Sequence, residues 1–147
     1  MNIRKFKKED QFAAQNIILN GLKEYWGSID NTLNPDVYDV EKAFLQERCT
    51  FVVAELDGRV IGTGGLKKTD DPTTVELCRV SVDKSQRRQG IAKAIVIKLF
   101  EYASEMGYKK VLVETTKTWV APRTLYKKLG FIEFSEDEKD VYMILNL

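Results

Sequence analysis

The chain has 147 residues, a length typical of one domain, because single domains usually contain about 100–200 residues. Its 23 Lys and Arg residues nearly balance its 22 Asp and Glu residues, so the overall charge does not favour binding to nucleic acid. The sequence contains no histidine. That composition excludes hydrolases with an imidazole base and leaves Glu, Asp, Tyr and Lys as candidate proton carriers.

The sequence shows no sign of a metal site or a membrane anchor. The two cysteines, Cys49 and Cys78, lack the spacing of metal ligands, and we expect no metal. The most apolar long stretch, residues 91–100, is interrupted by Lys93 and Lys98, and the opening residues are charged and lack an apolar core of the kind found in signal peptides. We therefore expect a soluble, cytoplasmic protein without a membrane partner.

The first half of the chain predicts a strand, two helices and a hairpin. A strand over residues 2–6 precedes a helix over about residues 9–25, and a turn-rich elbow leads to a second helix from Pro35 to about Arg48. The segments FVVAEL and RVIGTGGL flank the pair Asp57–Gly58, which favours the positive φ angles of a tight type I′ turn. The first helix has its apolar positions at Phe12, Ile17, Ile18 and Leu22.

The second half predicts alternating strands and helices. A strand over residues 74–83 leads into an amphipathic helix over about residues 90–106, which Gly107 ends. The segment KVLVETT predicts a strand, PRTLYKKL a short helix, and FIEF with VYMILNL a final hairpin. This order predicts a single α/β domain over residues 1–147.

The turn before the long helix has the features of a phosphate-binding loop. Gly90 and Ala92 have little or no side chain, so a ligand can approach the backbone closely, and the helix start presents unpaired N–H groups. Arg87 and Arg88 add cationic donors suited to phosphate oxygens. Neither a P-loop nor the three-glycine dinucleotide motif is present, so a pyrophosphate held in another way is predicted.

The segment R-R-Q-G-I-A, residues 87–92, resembles the Q/R-x-x-G-x-G/A signature of the GNAT acetyltransferase superfamily. The preceding ELCRVSVD is similar to the family's fourth strand, and LYKKLGF, residues 125–131, is similar to its carboxy-terminal motif. The resemblance covers nearly the whole chain and implies the GNAT fold, a single mixed, mostly antiparallel sheet of about seven strands flanked by about four helices. The stretch GLKEYWGSIDNTLNPD resembles one in bacterial members, which indicates the lineage more than the substrate. The resemblance as a whole implies a bacterial, small-molecule-type member.

The resemblance implies an N-acetyltransferase that moves an acetyl group from acetyl-CoA to a primary amine by direct attack. The pantetheine arm is then expected to lie between the fourth and fifth strands, pairing with backbone groups near Val80 and Val82. The residues that the resemblance assigns to cofactor binding are Val80, Ser81, Val82, Arg87, Arg88, Gln89, Gly90, Ile91, Ala92, Lys93 and Tyr126.

A general base and an acid are also expected. Strand alternation places Glu76, Cys78, Val80 and Val82 on one face, so Glu76 is the first candidate for the base, acting through water, with Glu114 in reserve. The resemblance implies that the Tyr126 phenol protonates the leaving thiolate. The alternative interpretations are a buried structural aromatic for Tyr126 and a solvated strand carboxylate for Glu76.

The expected acceptor site is less well defined. The family commonly has Asn and Ala where this sequence has Trp119 and Pro122, so Trp119 is interpreted as covering pantetheine, as a wall of the acceptor pocket or as a core residue. Other candidate positions lie in the elbow and at the acidic tip over residues 136–138, and they form either a pocket for a cationic amine or a solvated loop. The elbow candidates are Tyr25, Trp26, Asp30, Asn31 and Asp36.

Three functional alternatives remain at this point. A GNAT-shaped module can hold or sense acyl-CoA without turnover, a transferase can use another acyl group, and a transferase can act on protein amines rather than small molecules. The acceptor is therefore expected to be a small-molecule amine or a protein amine, and a homodimer is an open expectation.

Overall fold

The computed structural model describes residues 1–30 and 32–147, so Asn31, one of the expected acceptor-site residues, lies outside the described residues. The strands are β1 (Asn2–Lys5), β2 (Thr50–Leu56), β3 (Arg59–Lys68), β4 (Thr74–Val82), β5 (Lys110–Thr116), β6 (Ile132–Glu136) and β7 (Asp140–Asn146). The α-helices are α1 (Gln11–Trp26), α2 (Pro35–Tyr38), α3 (Val40–Phe44), α4 (Ile91–Glu105) and α5 (Val120–Lys128).

All seven strands form one sheet in the order β1-β2-β3-β4-β5-β7-β6. The pair β4 and β5 is parallel and the other neighbouring strands are antiparallel. The predicted single mixed, mostly antiparallel sheet of about seven strands is therefore confirmed, with five α-helices among the described residues where about four were expected. The predicted hairpin turn is also present, since Asp57 has φ 51° and Gly58 has φ 76°.

The first two predicted helices differ in detail from the structure. Phe12 was expected on the apolar face of the first helix, but it is 73% exposed, and the buried positions of α1 include Ala14 instead. The second predicted helix is divided at Asp39, whose φ of −150° is not helical. The Asp39 side chain accepts a hydrogen bond from the backbone N–H of Lys42 at 3.1 Å and so caps α3.

Two apolar clusters lie on opposite faces of the sheet. On one face, α4 packs over the central strands through Ile95, Val96 and Leu99, and Tyr126 of α5 belongs to the same cluster. On the other face, α1, α2 and α3 pack over β2 through residues that include Phe51. Alternation along β2 places its successive side chains in different clusters, as expected for a sheet buried on both faces.

A bulge interrupts β4 at Arg79. Thr63 of β3 is in register with Ser81, but Gly65 is in register with Cys78, and Arg79 has a left-handed φ of 55°. Because one extra residue reverses the alternation, Cys78 packs against the cluster of α1, whereas Val80 packs against the cluster of α4.

The bulge corrects one expectation from the sequence. Glu76 and Cys78 do not share a face with Val80 and Val82, because the strand changes face at Arg79. The sequence interpretation assumed unbroken alternation through β4, which a single inserted residue invalidates.

Three neighbouring residues hold the bulge. The Arg79 guanidinium donates to both carboxylate oxygens of Asp36 at 2.8 and 2.9 Å and to the side-chain oxygen of Asn34 at 3.1 Å. The Arg79 carbonyl accepts a 2.7 Å hydrogen bond from the hydroxyl of Thr63, which is fully buried. A bidentate pair of this kind fixes geometry as well as charge, so the start of α2 is tied to β4.

The pKa of Asp36 reflects this contact. Loss of hydration opposes its ionisation, but the hydrogen bonds and charge of Arg79, with a smaller contribution from Lys67 at 3.9 Å, lower the pKa below its usual value. A carboxylate with a lowered folded-state pKa stabilises the fold above its unfolded pKa of about 3.9, and this stabilisation is lost as the pH falls through the folded-state value.

No helix of the described residues is both long and apolar enough to span a lipid bilayer. Among the same residues, no group of three or more Cys, Asp or Glu side chains is arranged to hold a metal ion.

We predict that Asp36→Asn lowers the free energy of unfolding at pH 7 by about 1–3 kcal/mol, because Arg79 loses a charged partner. The difference from wild type should shrink as the pH falls below about 4, because the unfolded chain then binds a proton at Asp36 while the folded protein binds it only at lower pH. Urea denaturation at pH 7 and pH 3 measures both values. Lys67→Met is the control and should have a smaller effect, since its ammonium lies 3.9 Å from Asp36. An equal deficit at both pH values would contradict the prediction.

Candidate active site

A cleft opens where β4 and β5 separate. Their parallel pairing runs from Thr74 and Lys110 to Leu77 and Val113 and then ends, although both strands continue. We call the point just beyond Leu77 and Val113 the fork. The cleft has a volume of about 760 Å³ and is lined by α1, β4, β5, the start of α4 and the start of α5. This size is typical of a site for a small molecule.

The predicted phosphate-binding loop lies at one end of the cleft. Gly90 precedes α4 with a left-handed φ of 75°, and its carbonyl accepts the first helical hydrogen bond, from Ala94 at 3.0 Å. The backbone N–H groups of residues 90–93 lie at the start of α4, where helical N–H groups have no intrahelical acceptor. These amides and the positive end of the α4 dipole form a cradle suited to an anion.

The two arginines of the loop differ in their contacts. Arg87 donates to the Glu24 carboxylate of α1 at 2.7 Å and to the carbonyl of Val82 at 3.2 Å, so it joins α1 to the end of β4. Arg88 has a left-handed φ of 65°, and both arginines line the cleft. Gln89 is absent from the cleft lining, unlike the other residues assigned to cofactor binding from the sequence.

Tyr126 reaches the cleft from α5. It is 6% exposed and packs edge-on against Phe131 with ring centroids 5.5 Å apart. Among the described residues its hydroxyl has no hydrogen-bond partner, although it lines the cleft. Burial raises the pKa of the phenol above its usual range, with a smaller contribution from Cys78, so the group is a protonated donor at neutral pH.

Glu76 stands on the closed part of the sheet just before the fork. It is in register with Lys67 on β3 and with Leu112 on β5. Burial raises the pKa of Glu76, and the cations Lys67 and Arg79 oppose that change. Glu76 therefore lines the cleft, and the positive charges of Lys67 and Arg79 partly compensate its negative charge.

Glu114 is the first residue of β5 beyond the fork. Its carboxyl group is within hydrogen-bonding reach of Asp140 on β7, and both residues line the cleft. Partial loss of hydration and the hydrogen bond with Asp140 raise the pKa of Glu114 to about 7. A carboxyl group that titrates near neutral pH is well suited to accept a proton.

Three aromatic residues pack together in the wall of the cleft that α1 and the segment before α5 form. Trp119, before α5, stacks on Tyr25 of α1 with ring centroids 4.4 Å apart, and Trp26 lies 5.7 Å from Trp119 at a tilt of 45°. All three line the cleft, and Trp119 also packs against the apolar cluster of α1. Trp119 thus takes part in both the wall and the core that the sequence interpretation offered as alternatives.

Some residues of the cleft were not singled out from the sequence. Asp140 was assigned to a hairpin without a role, and the pair of Arg79 and Lys67 was not considered. Their contacts depend on the pairing of β5 with β7 and on the β4 bulge, neither of which has a local sequence signal. The only available signal was the polar character of Asp140 at the start of an apolar strand.

Comparison with known proteins agrees with this geometry. Residues 16–131 match the model of the acetyltransferase (GNAT) family. Human N-acetyltransferase 8 is 38% identical over 108 residues, which represent 70% of this chain and 48% of that protein. The chain spans about half the length of the curated relatives it matches.

Solved structures share the fold. A GNAT-family acetyltransferase from Staphylococcus aureus Mu50 superposes with a TM-score of 0.89 at 22% identity, covering 99% of this chain and 98% of the other. The PaiA N-acetyltransferase of Thermoplasma acidophilum, solved with coenzyme A, gives a TM-score of 0.82 at 20% identity, covering 99% and 98%. With its sheet, its fork and a family match over most of its length, the chain belongs to the acetyltransferase (GNAT) family.

Proposed function

We propose that the chain is an acetyl-CoA-dependent N-acetyltransferase that acts on a primary amine by direct attack. The observation that carries the proposal is the fork between β4 and β5, which has an amide cradle at one end and the unpartnered Tyr126 hydroxyl in its wall. Family membership and the coenzyme A in the PaiA structure support the same donor.

The cleft residues fit the parts of acetyl-CoA. The amides of residues 90–93 and the cation of Arg88 suit the diphosphate, since both supply donors to anionic oxygens. Beyond the fork, the β5-facing backbone edge of Val80, Ser81 and Val82 has no strand partner, so the amides of the pantetheine arm can pair there as an added strand. When bound, the donor supplies a thioester carbonyl as the electrophile.

Tyr126 is proposed as the acid. Its hydroxyl is protonated at neutral pH because burial raises its pKa, and it lacks a described protein partner that would compete for it. A donor placed beside the departing sulfur stabilises the thiolate as the carbon–sulfur bond breaks. Tyr126 stands where the resemblance places the acid and lines the cleft, which favours a catalytic protein over a module that only senses acyl-CoA.

The acceptor must lose a proton before it attacks, because an alkyl ammonium has a pKa of about 10. Glu76 and Glu114 both line the cleft and are the candidate bases, acting directly or through a bridging water. The acidic side chains around the fork also attract a cationic amine. The acceptor is expected to be a small-molecule amine or a protein amine. The preference for acetyl, the homodimer and the cytoplasmic location also stay predictions.

We predict that Gly90→Val weakens coenzyme A binding at least about tenfold, because the new side chain projects from the residue that starts the amide cradle. Gly58→Val is a matched control. Both glycines have φ near 75° and an added Cβ meets nothing within 4 Å at either site, so both variants carry similar backbone strain. Titration calorimetry with coenzyme A measures the difference. Equal affinity in the two variants would argue against the cradle.

We predict that Tyr126→Phe lowers kcat by roughly 10²–10⁴-fold, the usual contribution of a placed proton donor, while coenzyme A still binds. Tyr108→Phe is the control, because Tyr108 is also buried but donates to the carbonyl of Arg48 at 2.8 Å, outside the cleft. Release of free thiol from acetyl-CoA with a panel of amines measures turnover. Unchanged kcat in Tyr126→Phe would remove the residue from the role of acid.

A further inference from the structure

Lys67 of β3 lines the cleft with hydrogen-bond donors that the protein does not use. Its ammonium makes no hydrogen bond among the described residues and lies 3.9 Å from Asp36 Oδ2, beyond hydrogen-bonding distance. The same ammonium lies 4.9 Å from the ring centroid of Phe44, a contact that holds the charge in place without occupying its N–H groups. These N–H groups are therefore available to a ligand.

Arg79 adds a second free donor beside Lys67. Its Nε and Nη2 atoms donate to Asp36 and Asn34, whereas Nη1 has no acceptor within the described part of the chain. Arg79 Nε and Lys67 Nζ lie 2.8 and 3.9 Å from the same Oδ2 atom of Asp36, so two positive charges share one carboxylate oxygen. Cationic donors that converge in this way suit a second carboxylate, which can accept from both.

Glu76 does not occupy the donors of Lys67, although the two residues are directly opposite each other in the pairing of β3 with β4. In residues 1–30 and 32–147 the Glu76 carboxyl group has neither an ion pair nor a hydrogen bond, and it lines the cleft. A partly buried ammonium and a partly buried carboxyl group both gain from a ligand that supplies the missing hydrogen bonds. A zwitterion, which carries an ammonium and a carboxylate, supplies a partner to each.

The other side of the acceptor end is acidic. Glu114 and Asp140 line the cleft on the β5 and β7 side, where a carboxylate is repelled. The remaining cations of the cleft lining belong to the loop before α4, at the diphosphate end: Arg87, Arg88 and Lys93. Of the residues that the structure describes, Lys67 and Arg79 are thus the cations that the acceptor end offers to a carboxylate.

The pair of Lys67 and Glu76 lies next to the fork. Glu76 immediately precedes Leu77, where the pairing of β4 with β5 ends. Neighbouring strands are about 4.8 Å apart, so a small ligand whose carboxylate is bound from β3 has its other end over β4 and the opening. In an α-amino acid a single carbon joins the amino group to the carboxylate, so binding of the carboxylate also positions the nitrogen.

We propose that the acceptor is a free amino acid, whose carboxylate is bound by Lys67 together with Arg79 while its amino group faces the fork. This inference rests on the proposed acetyltransferase function and names the class of acceptor within it. Lys67 is then the residue that determines acceptor specificity, and the transfer yields an N-acetyl amino acid and free coenzyme A.

Other amines fit these charges less well. A polyamine brings a second positive charge toward Lys67, and like charges repel. At a protein N-terminus, a neutral peptide group stands where a free amino acid has its carboxylate. Both kinds of acceptor leave the donors of Lys67 without an anionic partner.

The first test compares each amino acid with its uncharged α-carboxamide. Thiol release from acetyl-CoA is measured with the standard L-amino acids, and kcat/KM is then determined for the preferred ones and for their amides. The acid should exceed the amide in kcat/KM at least about tenfold, the usual contribution of a hydrogen bond between charged groups. Spermidine, tyramine and an amidated tripeptide lack a free carboxylate and should be poorer acceptors. An amide or a carboxylate-free amine that equals the best amino acid overturns the proposal.

The second test removes the cation. Lys67→Met should raise the KM of the preferred amino acid at least about tenfold and leave that of its amide little changed, whereas Lys67→Arg should restore most of the affinity. The charge of Lys67 also lowers the pKa of Glu76, but that effect acts on the acid and the amide alike. An equal loss with the acid and the amide therefore overturns the assignment of Lys67.

Lys98→Met is the matched control. The side chain of Lys98 is 38% exposed, against 35% for Lys67, and it does not line the cleft. Lys98 also has an acidic neighbour, Glu101 at 3.2 Å, and an aromatic one, the Tyr102 ring with its centroid at 5.5 Å. Its kcat and KM for the amino acid should match wild type.

The two levels of the proposal fail differently. If wild type releases thiol with none of these amines, the proposed function is wrong for free and peptide amines, and the class of acceptor is wrong with it. If wild type acetylates amines but does not prefer the acid to the amide, the transferase function stands and only the amino acid assignment is wrong.

Discussion

The end of pairing between β4 and β5 is the constraint on which the rest of the site depends. A parallel pair hydrogen-bonded along its whole length would leave no space between the strands and no free backbone edge. Here the pairing ends at Leu77 and Val113, so polar backbone groups of both strands face a cleft rather than each other. Unpaired backbone groups need water or a ligand as hydrogen-bond partners, so the fork is suited to an extended polar ligand.

The bulge at Arg79 determines what each side of the fork contains. Without the extra residue, Val80 and Val82 would continue on the α1 face with Cys78, and the backbone edge offered to a ligand would be rotated. The left-handed φ of Arg79 is unfavourable for a residue with a side chain, and the contacts of its guanidinium with Asp36 and of its carbonyl with Thr63 offset that strain. The geometry of the proposed donor site thus depends on Asp36 at the start of α2, which the sequence interpretation assigned to the acceptor site.

The features that the sequence predicted correctly are those set by residues close together along the chain. The Asp57–Gly58 turn, the start of α4 after Gly90 and the stop at Gly107 each depend on neighbouring residues, and each appears in the structure close to its predicted place. The face reversal at Arg79 and the meeting of Glu114 with Asp140 depend on the register of separate strands. One inserted residue in β4 leaves composition and periodicity almost unchanged, so the sequence interpretation grouped Glu76 with Val80 although they lie on opposite faces.

Trp119 stands where the family commonly has Asn, and this difference has a physical consequence for the cleft. An Asn at this position would offer hydrogen bonds to a ligand, whereas the indole stacks on Tyr25 and contacts the apolar cluster of α1. The stack connects α1 with the segment between β5 and α5, while the ion pair of Arg87 with Glu24 connects α1 with the loop before α4. Helix α1 therefore contacts both the segment before α5 and the loop before α4, so a change in its position would affect the proposed donor and acceptor ends together. The width of the cleft therefore depends on how α1 packs as well as on the separation of the strands.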